Sequence, residues 1–413
     1  MKERFGNKSV ETLETFVSKS FIPFKMSSLS RVKGTVGKSL KAPSSRILEK
    51  EEGLDFGPTV VFHEKTKTIG TPFLFHENDW LTLGDGDGYQ EWFSRQGKTK
   101  NAIKWGQLKL FTSEMQFFNK FWNPKEVPNP VCVYVGAAPG THIPFLAQMF
   151  PWFTFHLYDP RDVFDPELKK NDKIQLHTQF FSDEDAKKYA KRNDIFFLSD
   201  IRSTTYNKGN FPTEQDQKEN EELVRQDMER QMRWLEIIRP YKAQIKFRLP
   251  YTYHWQKDTT FEYFDGDIYR QVWAPQTSTE TRLVPDLQAP KRKWNSKLYE
   301  QMMFYHNNIV REHAVFINPL TGVNGPIDAD LGLTQDFDSV VFVSTLQDYC
   351  KKFHKGLLAS EEETVKILAR AIIDNVGKKI ITISNLRAGV KGRLSPGTEE
   401  EMKKLLMVTE DDE

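Results

Sequence analysis

The chain has 413 residues, 38% of them hydrophobic and 28% charged, with a formal net charge of +1. That length suits one large domain or a few of about 150 residues, and the near balance of charge excludes a protein that works through one dominating field. The two cysteines have no zinc spacing, Cys132 lies inside an apolar run as a reduced thiol would, and no apolar run approaches the ~18 residues that would span a membrane. With no secretory h-region at the start, the expectation is an intracellular chain.

Residues 1–50 carry eleven Lys/Arg against four Asp/Glu, many serines and few large apolar residues, which predicts a flexible basic arm. It reads either as a solvated tail or as an arm for RNA phosphates; Glu3, Glu11 and Glu14 argue against a mitochondrial transit peptide. From Leu54 to Trp92 short apolar pieces alternate with glycine and acids. The GDGDG run at 84–88 lacks the ligand spacing and closing glutamate of a calcium loop, so a flexible loop is expected, followed by the aromatics Tyr89 and Trp92. Leu108, Phe111, Met115 and Phe118 recur at helical steps and predict a helix from about Gln107. Lys109 stands off that stripe near the helix start, where the dipole disfavours a cation.

The chain is organised around VCVYVGAAPGTHI (131–143): a buried strand ending in a turn with Gly136, Pro139 and Gly140, then a helix. Glycine lets the backbone approach a ligand, and a GxxPG turn after such a strand implies a nucleotide-like group at the edge of a Rossmann-type sheet, although the GxGxxG dinucleotide fingerprint is absent. A second strand, 153–158, ends at Asp159, 19 residues beyond Gly140, where α/β folds place the acid that binds ribose hydroxyls. Strands follow at 174–180 and 195–199, the latter ending at Asp200. A polar loop precedes a helix over 221–239, stopped by Pro240. AQIKFRLPY predicts a strand with Lys246 in its middle, and an amine there is costly without a partner or a task. Further expectations are a strand over 277–284 carrying Glu280, a basic stretch at 291–294, a helix over 297–310, a strand over 338–346, a helix from the Ser360–Glu363 capping box to Val376, a strand in KKIITIS (378–384) and an acidic tail.

Lys109, Asp200, Lys246 and Glu280 each have an ordinary explanation as a solvated lysine, a cap or a cross-strand pair. Together they form a Lys–Asp–Lys–Glu set suited to 2′-O-methyl transfer. A ribose hydroxyl is a very weak acid, and a lysine becomes its base only when burial and a neighbouring cation lower its pKa. Lys246 in an apolar strand beside Lys109 meets both conditions, with Asp200 and Glu280 holding the amine.

GQLKLFTSEMQFF (106–118), YVGAAPGTHI (134–143), DPR (159–161), FFLSDIRS (196–203), KFRLPY (246–251), TSTETRLV (277–284) and YEQMMFYHNNIVR (299–311) follow one another in an order that resembles the poxvirus cap-specific mRNA 2′-O-methyltransferase family, whose members double as the small subunit of poly(A) polymerase. The resemblance covers about 70–355 and implies a Rossmann-like α/β fold using S-adenosyl-L-methionine: a methyltransferase domain over 51–355 with a C-terminal extension over 356–413. It implies m7G-capped mRNA as substrate, a poly(A) polymerase catalytic subunit as partner, and a place in the host cytoplasm (viral factory) or the virion. Lys109, Asp200, Lys246 and Glu280 match its catalytic tetrad, with Lys246 the general base. Gln107, Tyr134, Gly136, Gly140, Asp159, Arg161 and Asp200 match cofactor contacts, and Phe181 is a larger side chain at an adenine-pocket position. Tyr251 and Tyr89 match the rings that sandwich the methylated base, Trp80 or Trp92 being alternatives to Tyr89, and Glu300 matches an acid that reads its edge. Tyr253 stands where the family has a second acid. Arg202, Arg248 and Ser278 are expected near the RNA. Three other readings remain open: a non-cap RNA 2′-O-methyltransferase, a non-catalytic polymerase subunit that binds RNA, and a nicotinamide-dependent dehydrogenase, the last disfavoured by the missing fingerprint.

Overall fold

Five consecutive apolar residues, Val131–Val135, can be buried on both sides only in a sheet covered by helices on both faces. The computed structural model builds that sheet, and it describes residues 73–75, 82–84, 87–88, 106–203, 213–252, 259–274, 278–311, 314–323, 325–353 and 360–378. The expectations for the basic arm, Tyr89, Trp80, Trp92, Tyr253, residues 379–384 and the acidic tail lie outside these residues.

In chain order the elements are β1 (Phe73–Phe75), α1 (Gly106–Phe121), β2 (Val131–Val135), α2 (Ile143–Met149), β3 (Thr154–Tyr158), β4 (Ile174–His177), α3 (Asp183–Tyr189), β5 (Ile195–Ser199), α4 (Glu214–Ile238), β6 (Lys242–Phe247), β7 (Thr260–Tyr263), β8 (Gly266–Tyr269), β9 (Thr281–Pro285), β10 (Arg292–Asn295), α5 (Ser296–Tyr305), β11 (Ala314–Phe316), α6 (Phe337–Phe353) and α7 (Glu361–Ile372). A π-helical turn over His306–Val310 extends α5, and another over Ile373–Lys378 extends α7.

The seven-stranded sheet has the order β4-β3-β2-β5-β6-β9-β8. The first five strands are parallel, and β9 runs antiparallel to both β6 and β8. From β2 the chain winds outward through β3 and β4; from β5 it winds the other way. This is the Rossmann-like α/β fold expected, and its crevice opens where β2 and β5 lie side by side, beyond their carboxyl ends.

Side chains alternate across the strands, so each face has its own core. Cys132, Tyr134, Phe196 and Leu198 pack with α1 and α6, whereas Val133, Val135, Phe197, Ile245 and Phe247 pack with α3, α4 and α5. On the first face Phe118 is fully buried against the rings of Phe150, Phe153, Phe155 and Phe196. Helix α7 also belongs to this core, through Val365, Ala369 and Ile372.

Residues 338–346 correct the sequence reading: they are the interior of helix α6, not a strand. Val340, Val341, Phe342 and Val343 are all buried and read as a strand, because the polar stripe of this helix, Ser344, Gln347, Asp348 and Lys351, begins only beyond them. The overlooked sign is Asp336, whose carboxylate accepts from the Ser339 N–H at 2.8 Å and caps the helix. Helix α4 begins seven residues before the expected start because Thr213 and Asp216 form a reciprocal capping box. Strand β9 starts at Thr281, which leaves Glu280 just outside it, and Lys246 lies next to the end of β6 and not at its middle. The helix expected over 297–310 turns π-helical after Tyr305.

Candidate active site

The turn after β2 carries the crevice. Gly136 has φ +81°, and a Cβ there would lie 2.9 Å from the Asp200 carbonyl carbon. Only glycine lets the ends of β2 and β5 come so close. Gly140, at φ +67°, is confined in the same way by the Ala137 carbonyl. Asp159, at the end of β3, is 3% exposed and points back under this turn, accepting from the Ala138 N–H at 3.2 Å. Arg161 grips the same carboxylate through its backbone N–H, Nε and Nη2, and also reaches the Ala138 carbonyl. A carboxylate has about four acceptor sites, and all are engaged here, so Asp159 shapes the turn and holds Arg161 over it.

Across the crevice, alternation and register assemble a charged cluster on one face. Lys246 and Arg282 are cross-strand partners of β6 and β9, so their side chains emerge on the same side. Asp200 follows β5, and Glu280 lies two residues before Arg282. Lys246 Nζ is 3.0 Å from Asp200 Oδ1 and 3.5 Å from Glu280 Oε2. Lys109 arrives from α1, its Nζ donating to Glu280 Oε1 at 2.8 Å. Arg282 donates to Asp200 Oδ1 at 2.6 Å and lies 3.4 Å from Glu280 Oε1. The four residues singled out in the sequence thus meet, and the same-face neighbour Arg282, which the sequence reading missed, joins them. Its place two residues beyond Glu280 in TETRL was the available sign.

The charges are balanced around Lys246. Burial pushes its amine below the usual lysine value, outweighing the pull of Asp200 and Glu280, with Arg202 and Arg282 acting in the same direction as burial. Burial alone would raise the two carboxyls, but Lys246, Arg282 and Lys109 hold Asp200 low, and Lys109, Lys246 and Arg282 hold Glu280 well below the carboxylate range. Two carboxyls held low and a lysine amine that burial lowers stand within one small volume.

The other residues form two groups. Near the turn, Gln107 Oε1 accepts from the Thr141 hydroxyl at 3.0 Å and lies 2.7 Å from His142 Nδ1. Tyr134 is buried, and its hydroxyl is held far above its ordinary pKa by burial first and then by Glu114 and Asp200. Phe181 is buried among Tyr158, Phe197 and Trp234, so its ring belongs to the apolar layer of the second face.

On the far side of Lys246, the Arg248 guanidinium lies over the Tyr251 ring at 4.2 Å and pairs with Glu221 at 3.1 Å. Glu221 also accepts from the Tyr251 N–H at 2.8 Å. Glu300 accepts from the Thr252 N–H and hydroxyl at 3.3 and 3.1 Å, and burial raises its pKa. Burial and the neighbouring Arg248 lower the pKa of Arg202, and the adjacent loop is pinned by Asp227 accepting from Ser203. Ser278 Oγ accepts from the Glu280 N–H at 3.2 Å. Glu221 and Asp227 were not anticipated; both lie on α4, in a run of acids that in sequence looks like a solvated face. Among the described residues no cluster of His, Cys, Asp and Glu could hold a metal ion, and no helix is long and apolar enough to cross a membrane.

A family model described as "Poly A polymerase regulatory subunit" matches residues 72–349, more than half of the chain. The chain is 30% identical over 226 residues to the cap-specific mRNA (nucleoside-2′-O-)-methyltransferase of Myxoma virus (strain Lausanne), a match covering 51% of this chain and 62% of that relative. It is 31% identical over 225 residues to the protein of the same name from Fowlpox virus (strain NVSL), covering 51% and 69%. The chain therefore spans less than two thirds of the myxoma relative's length. A solved structure of Streptomyces venezuelae DesVI overlaps 49% of this chain and 83% of its own at 13% identity, with a TM-score of 0.20, too loose an overlap to carry weight.

Proposed function

The chain belongs to the Poly A polymerase regulatory subunit family, and from that premise we propose that it methylates the ribose 2′-hydroxyl of the first transcribed nucleotide of m7G-capped mRNA, with S-adenosylmethionine as methyl donor. The observation that carries this reading is the buried Lys246 amine, held 3.0 Å from Asp200 beside Glu280, at the mouth of a glycine turn. A nucleotide-binding turn by itself fits many activities. A lysine whose pKa burial lowers there supplies the kind of base a ribose hydroxyl needs in order to react.

The turn suits such a donor. Gly136 and Gly140 let the turn fold tightly against Asp200 and Ala137, and among the described residues no partner is present for the Gln107 amide nitrogen, which can therefore donate to a carboxylate. Gln107, Tyr134 and the Gly136–Gly140 turn would hold the amino-acid end, with Asp159 and Arg161 beside the ribose. When bound, S-adenosylmethionine supplies an electrophilic methyl group on a sulphonium. Lys246 Nζ takes the proton of the 2′-hydroxyl. Asp200 and Glu280 fix the amine in place, while Lys109 and Arg282 keep both acids ionised without adding a proton to Lys246. Much of the rate comes from the alignment this imposes. Arg202, Arg248 and Ser278 lie where RNA would pass. Tyr251 offers a ring face for a positively charged methylated base, and Glu300 a carboxyl for its edge.

The family's description favours a second role as well: an RNA-binding subunit of a poly(A) polymerase, alongside its catalytic subunit. The two roles can coexist in one chain. Incubating labelled S-adenosylmethionine with capped and uncapped RNA of one sequence, then analysing the product nucleosides, tests the reading. Label in 2′-O-methylribose of the first nucleotide of capped RNA alone is expected. Equal labelling of both RNAs would overturn cap dependence, label at guanine N7 would overturn the Lys246 chemistry, and no label would leave the polymerase role as the reading to retain.

A further inference from the structure

Glu280 holds Lys109 and stands beside Lys246, yet it lies one residue outside β9, whose pairing with β6 begins at Thr281 opposite Phe247. Helix α5 and its π-helical extension reach across to the chain that carries it. The Tyr299 hydroxyl donates to the Thr279 carbonyl and lies 3.0 Å from the Thr281 hydroxyl. Asn307 Nδ2 donates to the Ser278 carbonyl at 2.7 Å, and Asn307 Oδ1 accepts from Arg311 at 3.1 Å. A backbone carbonyl only accepts and a guanidinium only donates, so both polarities follow from the partners and need no assumed charge. Tyr299 and Asn307 are buried, and Arg311 is itself anchored on the Asp338 carboxylate of α6 and the Ala274 carbonyl. Eight residues of regular α-helix would turn Asn307 about 80° off the face of Tyr299. The wider π turn from His306 lessens that rotation.

We propose that Tyr299 and Asn307 are positioning residues of the methyl-transfer site: they clamp the chain over 278–281 so that the Glu280 carboxylate stays between Lys109 and Lys246. The inference rests on the reading of Lys246 as the base. Glu280 Oε1 takes the Lys109 amine at 2.8 Å while Oε2 lies 3.5 Å from Lys246 Nζ, so a small shift of its backbone would lose one contact or the other. The Glu280 N–H is already turned onto Ser278 Oγ, inside the clamped segment. Helix α5 is also tied on the side of Tyr251, where Glu300 accepts from the Thr252 N–H and hydroxyl. One helix thus carries the clamp on the catalytic carboxylate and, at the next residue, the acid beside Tyr251.

The test is Tyr299→Phe in the full chain, which removes one oxygen and no charge. Methyl transfer from S-adenosylmethionine to capped RNA should slow about ten- to a hundredfold in kcat, the cost of a misplaced group. Calorimetric binding of S-adenosylhomocysteine should be unchanged. The acid limb of the rate profile should also move to lower pH. Lys246 is faced by Asp200 and Arg202 after β5 and by Glu280 and Arg282 at β9, with Lys109 of α1 beyond Glu280. Of these, the two carboxylates raise its pKa, and a displaced Glu280 would raise it less. An equal loss of rate at every pH would reduce Tyr299 to packing and overturn the proposal, as would an unchanged kcat. Should Tyr299→Phe not fold, Asn307→Asp decides: it keeps the Arg311 partner but sets an acceptor against the Ser278 carbonyl. Its added charge alone would move the acid limb to higher pH, so a shift to lower pH marks displacement of Glu280, and the opposite shift overturns the clamp. No methyl transfer by the unmodified protein would instead refute the methyltransferase reading, and the clamp with it.

Discussion

The two faces of the central sheet are made from the same strands and differ in kind. On one face, Val131, Val133, Val135, Ile195, Phe197, Ala243, Ile245, Phe247 and Leu283 are apolar under α3, α4 and α5, and the strand ends carry only the uncharged Ser199 and Thr281. On the other, Cys132, Phe196 and Leu198 are apolar under α1 and α6, but towards the carboxyl ends the side chains become Tyr134, Asp200, Gln244, Lys246 and Arg282. Neighbouring residues therefore have separate duties. Lys246 and Phe247 are adjacent in sequence and both buried, yet one faces two carboxylates and the other the rings of Tyr263, Trp294 and Tyr299. A strand can carry a reactive amine on one side because the other side supplies apolar contact that holds the strand in place.

Breaking that pair of neighbours one at a time gives the largest effects. Lys246→Ala should reduce methyl transfer about 10²–10⁴-fold, the usual worth of a general base, with S-adenosylhomocysteine binding nearly intact by calorimetry. Lys246→Arg should be equally poor, since a guanidinium does not give up its proton. Phe247→Ala should instead cost about 3–5 kcal/mol of stability in a denaturant titration, with residual folded protein still binding the ligand. If Phe247→Ala impaired turnover without loss of stability, the division between the faces would be wrong.

A smaller effect is expected at the glycine turn that joins the faces. Gly136→Ala forces a side chain into φ +81° and against the Asp200 backbone, a strain of about 1–3 kcal/mol. It should show as weaker ligand binding, with the thermal midpoint lowered less than in Phe247→Ala. The pH profile sharpens the chemical face alone. Because burial lowers the Lys246 pKa, the amine is free above that value and protonated below it. Turnover should therefore fall as pH falls, approaching tenfold per pH unit on the acid limb. A flat acid limb under conditions where methyl transfer is rate-limiting would remove Lys246 as the base.

The strands around the turn were legible in sequence because each is a short apolar run bounded by glycine, proline or an acid: β2 and β5 have the expected bounds, and β3 and β4 differ by a residue or a few. Legibility failed in the first half of α6, where the unbroken apolar run Val340 to Val343 hides the helical period that Gln347, Asp348 and Lys351 show only later. The short strands β7, β8 and β10 were not anticipated either; β7 and β8 received no assignment from the sequence, and β10 read only as a basic stretch.

The sequence by itself determined the residue types of the site and the strands that bear them, because an amine in an apolar strand and a glycine in a strand-to-helix turn are costly choices that need a reason. Only the tertiary structure decided which partners those residues have. Strand register brings Arg282 beside Lys246, the close approach of β2 and β5 sets Asp200 against Gly136, and α1 delivers Lys109 to Glu280 across 171 residues of chain. Such pairings are fixed by distance in space, and local sequence carries no record of them.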